Sequence, residues 1–501
     1  MFRGWTGQVS CDGMARGGAT RKRVPVIVAR FYQFISLMNI SPSEQQHTEG
    51  PEPSVMDVLK EQIRDLAKSE FARLVELKYG HSHDVIGEIT VANVLGGERG
   101  MKTMLTDTSD LDPLGGIRYR KMTLREVNSA LPKPDGSTVG LPEGAFWLLL
   151  TGEVPSEDIM HEFNSELHRR SELPDEVITT IDSLPKDMHP MTQLSIGVLA
   201  LQPYSVFSKG YFQGDLRKSD YWESILEDAV TLVARVPQIA ARIYRRSFHH
   251  DDQISSDPHL DWAANFAHML GVSDDPLFEE VMRLYMLLHA DHEGGNVSAH
   301  TTHLVGSALA DPYYAFAAGV CGLAGPLHGI ANQESLKWLE SCMAHHNGRI
   351  PTKESVGKFA EKTLREGRVI PGYGHAVLKV ADPRYLLERE FCLKNIGDDP
   401  MVQLCSVAYE AVPTVLSNTG KVRSPYPNVD AHSGVMLKHF GLSEPDFYTV
   451  VFAVSRSMGV MAQLVWARIM QMPIERPKSV TLDHLYDTVL SKSHPQTKSQ
   501  L

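Results

Sequence analysis

The chain reads as a mainly helical protein with minor β hairpins, organised as two domains. Three observations lead there. Apolar residues recur at helical spacing over long segments, and Gly or Pro punctuates them. No repeated βαβ alternation and no internal repeat interrupts that pattern. The chain has 501 residues, more than one hydrophobic core usually supports, so two domains with a cleft between them are expected.

The elements follow in order. The first 40 residues carry Arg3, Arg16, Arg21, Lys22, Arg23 and Arg30 against a single acid, Asp12. That composition predicts a mitochondrial import segment over 1–45. The C-terminal Ser499-Gln500-Leu501 resembles a peroxisomal address only in part. From Asp57, the residues Leu59, Ile63, Leu66, Leu74 and Leu77 share a helical face, and Gly80 offers a stop. Segments 86–95 and 117–124 are β-like. Helices are expected over 221–248 with a kink at Pro237, and over 261–270, 276–288 and 448–470. Segment 421–430 holds Pro425 and Pro427 and reads as a loop, and 491–501 reads as a polar tail. No apolar run is seen to approach the roughly 20 residues that span a bilayer; 24–40 comes closest, and Arg30 interrupts it.

The formal charge of −12 at pH 7 excludes nucleic acid as the main partner. It leaves room for a small anion held by a few local arginines. Five cysteines, none in a CxxC pair, argue against a disulfide framework or a structural zinc site.

The most informative stretch is 289–334. It places His289, His292, His300, His303 and His328 among small residues, which leave room for a ligand. Further polar groups beside Gly, Ser, Pro or Ala occur in HADHEGGN (289–296), GPLHG (325–329), PGYGHAVLKVADPRY (371–385), NVDAHSG (428–434), VSRSMG (454–459) and IERPKS (474–479). Asp430 is a candidate base. His328 and His375 are candidate acids or hydrogen-bond donors. Arg384, Arg456 and Arg476 suit carboxylates, because a planar guanidinium donates two parallel hydrogen bonds. One carboxylate, two histidines and several arginines fit carbon-acid chemistry on a polycarboxylate. Each piece alone has a bland reading: a lone histidine is usually structural, and Asp382-Pro383-Arg384 is an ordinary turn. His292-Glu293 starts like a zinc-protease helix, but Asn296 stands where the second histidine belongs. His300 and His303 lack a third ligand at convincing spacing.

Taken in order, these segments resemble citrate synthase of the eukaryotic, mitochondrial kind. The resemblance runs from about Met56 to Pro477 and includes GGERGMK (96–102) and FWLLLTGEVP (146–155). It implies a helical homodimer whose large domain (46–327 and 436–490) and small domain (328–435) close over a cleft. It implies condensation of oxaloacetate with acetyl-CoA, then thioester hydrolysis to citrate and CoA, with no metal or redox cofactor. By the same resemblance, Asp430 takes the methyl proton of acetyl-CoA. His328 stabilises the enol, and His375 polarises and protonates the oxaloacetate carbonyl. His292, Arg384 and Arg456 hold oxaloacetate, and Arg476 reaches in from the second subunit. CoA falls to Arg99, Val369, Gly372, Tyr373, Lys421, Arg423 and Asn428, with a further basic contact at Arg217 or Lys218. His289, His300 and His303 become structural. Departures are few: Glu98 stands beside Arg99 where relatives carry an apolar residue. The same residues also serve 2-methylcitrate synthesis from propionyl-CoA, which one methylene separates from the main reading. A neutral His328 is expected, with its pKa depressed by a helix start after Gly325-Pro326.

Overall fold

Helix follows apolar periodicity almost throughout. The computed structural model describes residues 52–420 and 422–493. The expected import segment, Lys421 and the end of the polar tail lie outside the described residues. We label the helices that build the core and the site. They are α1 (Val55–Gly80), α2 (Pro142–Thr151), α3 (Tyr221–Phe248), α4 (Pro276–His289), α5 (Val297–Ser307) and α6 (Pro312–Leu323). They continue with α7 (Ala331–His345), α8 (Pro383–Asn395), α9 (Pro400–Asn418), α10 (Ser433–His439) and α11 (Pro445–Ile469).

Local chemistry sets their ends. Ser54 and Asp57 form a capping box at the start of α1. Asn296 caps α5, and its side-chain oxygen accepts from the Ala299 N–H. Asp382 caps α8 ahead of Pro383, which suits the first helical position because it needs no N–H there. Pro237 lies inside α3, yet the helix runs on from Tyr221 to Phe248.

The centre of the molecule is α11. It is buried on all sides from Phe447 to Ile469, packed by α2, α3, α4 and α5. A helix apolar all round belongs in a core or a membrane. By length and composition α11 could span a bilayer, which corrects the expectation that no run approaches that length; here 94% of its apolar window is buried in protein.

Three antiparallel strands, β1 (Ser109–Asp112), β2 (Gly116–Tyr119) and β3 (Met122–Thr123), form the sheet in that order. The Asp112 carboxylate closes the β1–β2 turn by accepting from the Leu114 and Gly115 N–H groups. This sheet clamps the segment after α4. The Ser109 and Thr108 hydroxyls donate to the buried Asp291 carboxylate at 2.7 and 3.1 Å, and the Asp291 N–H donates to the Tyr119 hydroxyl.

Two expectations change. Segment 86–95 is no strand: Thr90 caps a short helix, Val91–Leu95, within an exposed stretch. Beyond 481, helix Leu482–Ser493 runs into the region expected to be a polar tail.

Gly459 of α11 touches the backbone at the start of the site. A β-carbon there would sit 2.3 Å from the Ala290 carbonyl oxygen and 2.5 Å from the Asp291 Cβ. Gly459→Ala is therefore expected to lower stability by about 1–3 kcal/mol, the usual cost of overpacking, in urea denaturation.

Candidate active site

Four segments far apart in sequence meet beside α11. The segment 290–296 leaves α4 and carries His292. The turn between α6 and α7 carries His328. The loop 371–382 carries His375 and leads into α8 with Arg384. A 3₁₀ turn, Val429–Ala431, presents Asp430, and α11 itself supplies Arg456.

Arg456 is only 2% exposed. Its Nε donates to the His289 carbonyl at 3.0 Å and its Nη1 to the Asn296 side chain at 3.2 Å. Its guanidinium lies 4.8 Å from the Phe452 ring centroid. Burial lowers its pKa to about 10, so it stays charged at neutral pH. Arg384 is also buried and is gripped by Asp382 through Nε and Nη2, the latter at 2.7 Å. Each arginine is held by some of its nitrogens, which fixes the plane of the rest.

The histidines around them are neutral. His328 Nε2 accepts from the Ser298 N–H at 3.2 Å and lies 3.0 Å from the Ser298 hydroxyl. That occupation puts the ring proton on Nδ1. Burial, and then Arg456, pushes the His328 pKa down to about 4. The depression was expected, but its cause is corrected. Helix α7 begins only at Ala331, and the helix start touching the ring is that of α5, through Ser298. His375 has the opposite tautomer. Its Nδ1 accepts from the Val377 and Leu378 N–H groups at 3.0 Å, leaving the proton on Nε2. Its ring centroid is 5.5 Å from that of His292. Burial, then Arg384, lowers both of these histidines, His292 well below the ordinary range. The His292 pKa also responds to Arg456, His375 and His328, which shows the convergence of these groups.

Asp430 is partly exposed, and its 3₁₀ turn is capped by Asn428, whose side chain accepts from the Asp430 N–H at 3.0 Å. Burial raises its carboxyl to about 6, against the pull of Arg384 and Arg456. A carboxylate near 6 is a better base than a free one and still ionised at pH 7.

The loop 371–375 is stitched to 426–428. Asn428 N–H donates to the Gly372 carbonyl, Asn428 Nδ2 donates to the Gly374 carbonyl, both at 2.9 Å, and Tyr373 bridges Pro427. Gly372, Tyr373 and Asn428 thus lie together beside the Asp430 turn. Arg99 and Arg423 are exposed, as is Val369 at 77%. Arg217 is engaged by Asp220 at 2.8 Å, and Lys218 is exposed.

Arg476 is exposed on the strandless segment after α11. Its neighbour Glu475 is gripped by His300 and by His303, whose Nδ1 meets the carboxylate closely. Those two histidines therefore have a structural task. His289 does too: its Nδ1 pairs with the Tyr285 carbonyl and its ring stacks on Tyr285 at 4.0 Å. Among the described residues no group of three or more His, Cys, Asp or Glu could hold a metal.

Sequence reasoning passed over the roles of Asn296, Ser298, Asp382 and Phe452. Asn296 had a readable signal, an N-cap residue directly before a helix. Ser298 had none, because its partner His328 lies 30 residues away; Phe452 stands one helical turn before Arg456, a spacing readable in the residues.

The arrangement brings together a carboxylate, neutral imidazoles and partly committed guanidiniums, the residue types of an acid–base enzyme. The chain matches the model described as citrate synthase, C-terminal domain, over residues 97–478. It is 52% identical over 427 residues to citrate synthase 4, mitochondrial, of Arabidopsis thaliana, covering 85% of this chain and 90% of that one. It is 49% identical over 436 residues to citrate synthase, mitochondrial, of Xiphias gladius, covering 87% and 92%. The crystal structure of citrate synthase from Pyrobaculum aerophilum superposes with a TM-score of 0.67 at 27% identity, over 80% of this chain and 95% of that one.

The chain belongs to the citrate synthase family. It is a mitochondrial enzyme that condenses oxaloacetate with acetyl-CoA to give citrate and CoA, the entry step of the tricarboxylic acid cycle.

Gly372 has φ +77°, and a β-carbon there would sit 2.7 Å from the Ala431 Cα. Gly372→Ala is expected to move the Asp430 turn. Steady-state kinetics should show kcat down by about 100-fold, the scale for a misplacement of roughly 1 Å, with secondary structure unchanged by circular dichroism.

Proposed function

We propose that Asp430 is the base that removes the methyl proton of acetyl-CoA. A thioester α-proton is weakly acidic, so the developing enolate charge must be quenched as it forms. His328 does this by donating Nδ1–H to the thioester oxygen. The observation that carries the reading is the occupied Nε2 of His328, which leaves one N–H to give and no charge to lose. His375, with its proton on Nε2, polarises and then protonates the oxaloacetate carbonyl. His292, Arg384 and Arg456 hold the oxaloacetate carboxylates through the nitrogens the protein leaves uncommitted.

CoA is held by Arg99, Val369, Gly372, Tyr373, Lys421, Arg423 and Asn428. No metal or redox cofactor takes part, since His328 supplies the electrophile and Asp430 the base. Residues 328–435 form a small domain that closes on the large domain, 46–327 and 436–490. Closure excludes water until the carbon–carbon bond is made and so limits idle thioester hydrolysis. The protein works as a homodimer, with Arg476 completing the second subunit's site. The exposure of Arg476, on a segment anchored by the Glu475 contacts, supports this.

Release of free thiol from acetyl-CoA or propionyl-CoA in the presence of oxaloacetate tests the reading. Acetyl-CoA is expected to be preferred; comparable kcat/KM for both thioesters would favour methylcitrate synthesis. His328→Ala and Asp430→Asn should each lose at least about 1000-fold in kcat while remaining folded. Wild-type kcat/KM should fall on the acid side with a midpoint near pH 6, because protonated Asp430 cannot accept a proton.

Subunit mixing tests the shared site. Arg476→Ala and Asp430→Asn proteins, each inactive alone, should regain up to about a quarter of wild-type activity when refolded together. Mixed dimers then carry one site with both residues intact, and statistical pairing makes half the dimers mixed. No recovery, with mixed dimers present by mass spectrometry, would place Arg476 in its own subunit's site.

A further inference from the structure

Arg384 and Glu388 stand four residues apart on α8 and so share one face, a turn apart. Glu388 is 0% exposed, and neither of its carboxyl oxygens has a hydrogen-bond partner. In sequence it sits in Leu387-Glu388-Arg389-Glu390, which reads as a solvated helix face. Only Glu390 behaves that way, pairing with Arg125 on the outside. The inner face of α8 packs on the 3₁₀ turn that carries Asp430, on α10 and on α4. A buried carboxyl with no donor cannot stay ionised at acceptable cost.

We infer that Glu388 is a positioning residue for the condensation, backing Asp430 and Arg384 from the protein interior as a carboxylic acid. The inference rests on Asp430 being the base and Arg384 a substrate clamp. Burial pushes the Glu388 carboxyl well above the usual carboxylate range; Arg384 opposes this, and Asp430 and Asp382 add to it. Other titratable groups surround it. Tyr285 comes from α4, Cys392 from α8, Cys405 from α9 and Tyr385 from the first turn of α8, with His432 ring-to-ring with Tyr385 at 5.8 Å. Arg384 is the positive charge that acts on Glu388. Arg389, the next residue, lies over the Tyr409 ring and acts on Tyr385 and His432, and burial keeps His432 neutral with its pKa near 4.

The neutral acid fills its space without adding charge. Ionised, it would act twice. A second negative charge near Asp430 would raise the proton affinity of the base and hinder its release of the proton. A second carboxylate beside Arg384 would compete with Asp382 and with the substrate carboxylate for the same guanidinium. Loss of the Glu388 proton therefore disables the site on the alkaline side.

The test compares wild type with Glu388→Gln and Glu388→Ala. Glu388→Gln keeps shape and neutrality, so its kcat at pH 7 is expected within about threefold of wild type. Its profile should lack the alkaline fall in kcat expected of wild type. Glu388→Ala should lose about tenfold in kcat at pH 7, a loss the Gln variant rescues. Infrared difference spectra at pH 7 should show an acid carbonyl stretch in wild type that is missing in Glu388→Gln. Superimposable pH profiles of wild type and Glu388→Gln overturn the inference, and so does an infrared spectrum with no acid carbonyl lost. Turnover by Asp430→Asn would sink the assignment of the base instead, while the infrared result would still report the state of Glu388.

Discussion

The structure depends on burying two guanidiniums. Arg456 lies in the middle of a helix that is buried on every side, where an uncompensated charge is costly. Its compensation is local and specific: the His289 carbonyl, the Asn296 amide oxygen and the face of Phe452. Asn296 is at once the cap of α5 and the holder of His292, since its Nδ2 donates to the His292 carbonyl at 2.9 Å. The end of α4, the start of α5 and the position of Arg456 are thereby one arrangement. Moving any of them would strand a charge.

Burial first, and two buried positive charges after it, set the state of the titratable groups around them. Burial alone lowers a histidine and raises a carboxyl, so both move toward neutrality. The arginines then push the histidines further down and pull Asp430 back from where burial would take it. The result is a set of neutral imidazoles beside a carboxylate that is still ionised. Backbone N–H groups select the tautomers: Ser298 occupies Nε2 of His328, and Val377 and Leu378 occupy Nδ1 of His375. The two rings therefore present different nitrogens as donors, although their environments lower both pKa values.

Close backbone approach does the remaining positioning. Gly372 lies against Ala431, Gly434 against the Asn332 side chain, and Gly116 against the Pro383 ring. Each contact leaves no room for a β-carbon, and each fixes the spacing between two elements around the site. The small sheet serves the same end from the other side, since its hydroxyls satisfy Asp291 beside His292.

Much of this was legible in the residues. Helix α3 begins and ends where apolar spacing and polar flanks put it, because helix periodicity is a local property. The segments that carry His292, His328, His375, Arg384, Asp430 and Arg456 stood out because glycines and small residues around a polar group are themselves a local signal. Segment 86–95 misled, since Ile86, Ile89, Val91 and Val94 look like strand residues and yet are exposed. What residues alone could not determine is which partner each polar atom finds. The Ser298 contact that sets the His328 tautomer spans 30 residues, and the Arg456 contact with His289 spans 167. Glu388 is the clearest case: its charge state follows from burial, and burial is decided only when α8 packs on the turn that bears Asp430.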